Sequence, residues 1–231
     1  MARKGEIKRQ RKALKKRAER RKARVESASS LSPPSLSRSA IRRTIREAGQ
    51  WPLLECLIPE EWQDTKNILQ IVVARRSLQG QVAAGVFLVD LACLGVKDGF
   101  PAVFSSQWEY EQRLRRRVTE RQKMIRADLN LAAKIIREAT DYAARLGFRV
   151  HPDAVEAMPI LGDANPDACD VPIPLGGPDG KPMYIAGPYD NVRAIMNRLL
   201  RTLGPGGFSY LVPLEGLGEE WLEDLEGEWD E

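Results

Sequence analysis

Cysteine and histidine are scarce in this chain. Three cysteines, Cys56, Cys93 and Cys169, and one histidine, His151, are scattered over 231 residues. Neither the density of a disulfide framework nor the paired spacing of a structural zinc site is present. Long apolar runs are also missing, since none reaches the roughly 18 residues that a transmembrane helix requires. The Lys/Arg-rich N-terminus has no apolar stretch behind it, so no secretory signal peptide is expected. The expectation is a cytoplasmic protein with no membrane partner. Nucleophile-elbow and catalytic-cysteine motifs are absent. The glycine-rich Leu203-Gly204-Pro205-Gly206-Gly207-Phe208 lacks the Lys-Ser/Thr of a phosphate loop, and Pro205 removes one cradle N–H. With no cofactor motif and no internal repeat, cofactors are expected to be none. What remains is 43% hydrophobic and 29% charged residues, ordinary globular usage, in a chain long enough to bury a core.

Net positive charge is scarce outside one segment. The formal net charge is +4, but residues 1–26 hold thirteen Lys/Arg against Glu6, Glu19 and Glu26, a net of +10. Residues 214–231 hold nine carboxylates and no cation, a net of −9. The 187 residues between them are nearly balanced at +3, so the basic character belongs to the arm. That arm has too few large apolar side chains to fold alone, though its Ala, Leu, Glu, Lys and Arg favour helix; it reads as disordered or as a lone helix. Residues 27–39 are Ser-rich and carry Pro33-Pro34, which predicts an extended linker. A single globular domain is expected over 40–213, followed by the acidic, aromatic tail at 214–231.

Within 40–213 the patterning predicts an α+β fold, with an antiparallel sheet of about four to six strands on one long amphipathic helix and several short ones. Ser39 is placed to cap a short helix with Ile41 and Ile45 on one face, ending at Gly49. Trp51 to Trp62 reads as an apolar, proline-bracketed connection. Residues 68–76 and 82–96 read as a hairpin whose second strand is buried on both faces as far as Val89, with a core helix after Asp90 as the alternative. Leu114, Val118, Ile125, Leu129, Ala132, Ile136, Ala139, Ala143 and Leu146 recur every three or four residues, predicting one long helix or two abutting ones over 109–146, stopped at Gly147. Residues 152–170 read as a polar loop with one short helix. Around Pro178-Asp179-Gly180 two short strands should form a second hairpin. A helix capped by Asp190 or Asn191 and closed by Gly204, then a strand at 208–212, completes the pattern.

Clustered Lys/Arg neutralise phosphates and release condensed counterions, so the arm is the strongest functional signal. Its cations are Arg3, Lys4, Lys8, Arg9, Arg11, Lys12, Lys15, Lys16, Arg17, Arg20, Arg21, Lys22 and Arg24. A second cluster, Arg113, Arg115, Arg116, Arg117 and Arg121 with Lys123 and Arg126, is either a phosphate-contacting surface or a solvated helix face paired with Glu109, Glu111 and Glu120. The function expected is nucleic-acid binding, RNA or a ribonucleoprotein ahead of duplex DNA, because no major-groove reading helix or dimer motif is visible. An alternative is a metal-dependent nuclease. A carboxylate inside VFLVDLACL is costly unless partnered, so Asp90 with Asp98 and Asp153, Asp163 or Asp190 would bind Mg²⁺, and His151 would act as a base oriented by Asp153. The opposing reading of Asp90 is a helix cap at Leu91 or a pair with Lys97. A third class is a protein-interaction adaptor: Trp221, Leu225 and Trp229 share one helical face of the tail and would dock in a partner groove.

Overall fold

The computed structural model describes residues 36–212. The arm and the tail lie outside the described residues. Helix α1 (Arg38–Ala48) begins the fold; its cap is Ser37, whose side chain accepts from Ala40 N–H, and not Ser39. Five strands follow: β1 (Leu53–Pro59), β2 (Leu69–Arg76), β3 (Val82–Asp90), β4 (Gly95–Phe104) and β5 (Met124–Arg126). They form one antiparallel sheet in the order β4-β3-β2-β1-β5. This is the α+β architecture that the patterning predicts. The Trp51–Trp62 segment supplies a central strand where a connection was expected, because Leu57 and Ile58 face opposite sides of a sheet covered on both faces.

The apolar run at 82–96 is two strands and not a strand followed by a helix. Asp90 accepts from the N–H groups of Ala92 and Cys93 at 2.9 and 3.1 Å and turns the chain, so a helix never starts. Gly95 completes the reversal at φ 65°, and a Cβ there would stand 2.6 Å from the Ala143 methyl and 2.7 Å from the Ala139 carbonyl. Only glycine allows both the conformation and the close approach of the helix.

The periodic stretch at 109–146 is likewise interrupted. It comprises α2 (Gln107–Tyr110), a π-helical turn (Glu111–Arg115), α3 (Arg116–Thr119), strand β5, and α4 (Leu129–Arg145). The break has identifiable partners. Gln122 donates its amide to the Ile68 carbonyl, Glu60 N–H donates to the Lys123 carbonyl, and Met124 to Arg126 pair with β1. Satisfying the open edge of β1 outweighs two more helical turns, and Asp128 caps α4 by accepting from Asn130 N–H.

One sheet face packs against α1, α4 and α5 (Pro152–Ala157) through Ile45, Ile71, Phe87, Ile135 and Ile160. On the other face Val72, Ala84 and Val86 meet Tyr110, Leu114 and Val118. A smaller third cluster, with Leu146, Tyr184, Met196 and Phe208, joins the end of α4 to β6 (Met183–Ile185), α6 (Val192–Leu203) and β7 (Ser209–Leu211). Asn191 caps α6 and Gly204 closes it. The second hairpin is corrected: the turn at 178–180 forms, but β6 pairs in parallel with β7. The polar stretch at 152–170 contains two 3-10 turns besides α5.

Helix α1 is tied to α5 by charge. Arg38 and Arg42 both pair with Glu156, and Arg38 also with Asp153. The two guanidiniums hold the Glu156 carboxyl well below the usual range, at about 2. A depressed carboxyl stabilises the fold above its unfolded pKa and loses that contribution as pH falls from near 4.5 towards 2. The wild-type protein should therefore melt higher than Glu156→Gln at pH 6, with the gap closing by pH 2 to 3; melting curves with a pH-independent gap would refute the tether.

Candidate nucleic-acid interface

The carboxylates proposed for metal chemistry do not converge on one cluster among the described residues. Asp90 is 4% exposed, and burial pushes its carboxyl pKa up against the opposing pull of Lys97. It is thus neither a solvent-accessible carboxylate nor a helix cap; it closes the β3–β4 turn. Lys97 hydrogen-bonds to Asp190 at 2.9 Å, not to Asp90. Asp163 pairs with the buried Arg75, and Asp153 with Arg38.

His151 caps α5. Its Nδ1 accepts from the Asp153 backbone N–H at 3.3 Å, while the nearest carboxylate, that of Asp98, is 3.6 Å away. The Asp153 carboxylate is turned to Arg38 and only its backbone N–H meets the imidazole, so the orientation expected from Asp153 is not formed. Among the described residues, no group of three or more His, Cys, Asp or Glu is arranged to hold a metal ion.

The second basic cluster, by contrast, forms one surface. Tyr110, Leu114 and Val118 are spaced by four, which on a regular helix drifts away from a common face by about 40° per step. The π turn at Glu111–Arg115 widens the winding and returns all three to the sheet. This leaves the intervening arginines on the outer side. Residues 107–126 carry seven Lys/Arg against three Glu, a net of +4 where residues 36–212 as a whole hold +3.

Several of these cations have partners. Arg113 pairs with Glu109, Arg116 with Glu120 and Lys123 with Glu60. The solvated-face reading therefore holds for Arg113 and Arg116, whereas Lys123 lies beyond the helix and takes Glu60 instead. Arg117 and Arg121 are exposed and have no carboxylate partner among the described residues. Trp108 stands on the same segment and is 71% exposed. An indole left in water carries a cost that a stacking partner would relieve.

Beneath this ridge lies a cavity of about 310 Å³. Its buried charge is Glu55, 5% exposed, at a bulge in β1. Tyr110 donates its hydroxyl to Glu55 at 2.7 Å and Arg115 Nε donates at 3.0 Å, while Arg126 approaches to 3.6 Å. Burial and the Glu55 charge push the Tyr110 phenol up, so it stays a donor. Gln107 and Glu111 complete the polar lining and Leu54 adds an apolar patch. Gln107 donates to Glu111 at 2.9 Å and accepts from Arg76 at 2.8 Å.

Glu55, Gln107 and Trp108 were not expected from the sequence. The signal for Glu55 was present, since a carboxylate inside Leu-Leu-Glu-Cys-Leu-Ile is as costly as Asp90 in its own strand. None of the described helices is long and apolar enough to cross a membrane. Compared with family models, curated proteins and solved structures, the chain matches none.

Proposed function

We propose that this protein binds nucleic acid in the cytoplasm, single-stranded RNA ahead of duplex DNA, through residues 107–126 acting with the N-terminal arm. The observation that carries the reading is the concentration of net positive charge on one segment that also exposes a tryptophan. Guanidiniums supply sequence-independent contacts to phosphate, and an exposed indole supplies a stacking platform for an unpaired base. Single strands are favoured over duplex because the segment is short, interrupted helix, which suits splayed bases better than insertion into a major groove.

The test is the double charge reversal Arg117→Glu/Arg121→Glu, made on exposed side chains so that folding is spared. Affinity for a mixed-sequence single-stranded RNA should fall by about tenfold or more, and the log-affinity versus log-salt slope should shrink by about 1.4, roughly 0.7 for each lost phosphate contact. Trp108→Ala should weaken binding with little change in slope, since stacking releases no counterion. Unchanged affinity in both variants would remove this surface from the reading.

A further inference from the structure

We infer that the cavity beside the arginine-rich ridge seats one unpaired guanine base of the bound strand. The inference rests on the RNA-binding reading and adds to it a preference for one base. Charge decides the class of occupant. Two carboxylates, Glu55 and Glu111, and two guanidiniums, Arg115 and Arg126, line the same cavity. Their charges cancel, so a phosphate would gain little from the arginines that it did not lose against the carboxylates. A neutral group with its own donors and acceptors faces no such opposition. The volume, about 310 Å³, lies at the lower end of the range for small-ligand sites, and Tyr110 and Leu54 provide apolar wall.

The polar lining then selects among the bases. Carboxylates only accept, and guanine alone of the four common bases presents two adjacent donors, N1–H and N2–H, on its pairing edge, with the O6 acceptor beside them. Glu111 is suited to that pair of donors, because one of its oxygens is already fixed by Gln107. Arg115 is suited to O6. Its Nε is spent on Glu55 at 3.0 Å, which fixes the guanidinium plane, and its terminal nitrogens remain as donors. Glu55 is a positioning residue, anchoring Arg115 from one side and Tyr110 from the other. Arg126, with a side chain 73% exposed, lies at the rim where a flanking phosphate would run.

The experiment uses the full chain and four labelled eight-nucleotide RNAs: all uridine, and the same strand with one central guanosine, adenosine or cytidine. Fluorescence anisotropy should show the guanosine strand binding about tenfold tighter than the all-uridine strand, with adenosine and cytidine close to uridine. Glu111→Gln, at a partly exposed position, should abolish the guanosine-over-uridine affinity ratio, whatever the charge change does to the affinity the strands share. Glu55→Gln should do the same; if that variant fails to fold, Glu111→Gln decides, with Arg126→Gln as the control that should weaken all four strands alike without changing their ratio. Equal affinity for all four strands overturns the base seat and leaves RNA binding standing. A preference for another base, or a guanosine preference that survives Glu111→Gln, also overturns it. Failure to bind any strand removes both readings.

Discussion

Arg75→Ala should destabilise the fold by about 3–5 kcal/mol, because its guanidinium is buried and serves three backbone carbonyls at once. Nε donates to Ile160 at 2.8 Å, and the terminal nitrogens donate to Trp51 at 2.7 Å and Leu161 at 3.0 Å. Removing the side chain strands those acceptors and opens a void between β2 and the 3-10 turn at Met158–Leu161. At the few degrees per kcal/mol typical of chains of this size, the melting temperature should drop by roughly 10 °C. Arg75 also pairs with Asp163, but that carboxylate is exposed on a surface loop. Asp163→Asn should therefore leave the melting curve almost unchanged. If the two variants melted alike, the carbonyl contacts would carry no special weight and the ion pair would be the relevant interaction.

Removing residues 1–26 should have the largest effect on binding. The segment holds thirteen cations, and every single-strand phosphate that it neutralises adds about 0.7 to the magnitude of the salt slope. The truncated protein should lose several units of slope, keep the melting temperature of the full chain, and retain a weaker, flatter binding through residues 107–126. Identical slopes before and after truncation would make the arm a localisation or solubility element. In the opposite direction, deleting residues 214–231 should tighten binding at low salt, since nine carboxylates would no longer compete for the arm, with the gain fading as screening shortens towards about 8 Å.

The strands were legible wherever β-branched residues alternated or ran continuously. The β2–β3 hairpin around Gly80 and the helix between Asn191 and Gly204 follow directly from turn and cap chemistry. Two of the errors originate in tertiary hydrogen bonding. Periodicity carried the predicted helix straight through Met124–Arg126, where the demand of the β1 edge for partners prevails over local helix propensity. The parallel pairing of β6 with β7 joins residues 26 apart in sequence, which turn residues cannot signal.

The site shows the same division. The arginine cluster was legible as a run of charge. The local pairs of Arg113 and Arg116 were legible too; those of Arg115 and Lys123 were not, because Glu55 and Glu60 reach them from 60 residues or so earlier in the chain. Asp90 and Glu55 are alike in sequence, each a carboxylate within an apolar run. Asp90 is absorbed by two backbone N–H groups of its own turn, whereas Glu55 gathers a tyrosine and two arginines around a cavity. Sequence identifies a buried carboxylate as needing partners; folding decides whether they are local or distant.

Salt-dependent binding of the full chain to single-stranded RNA tests the central claim most directly. Dissociation constants for one mixed-sequence strand, and for a duplex DNA of equal length, would be measured across salt concentrations from about 50 to about 200 mM. The account predicts saturable RNA binding that weakens by at least tenfold across that range, with the RNA preferred over the duplex throughout. Absence of RNA binding at the lowest salt, or an affinity indifferent to salt, would contradict it.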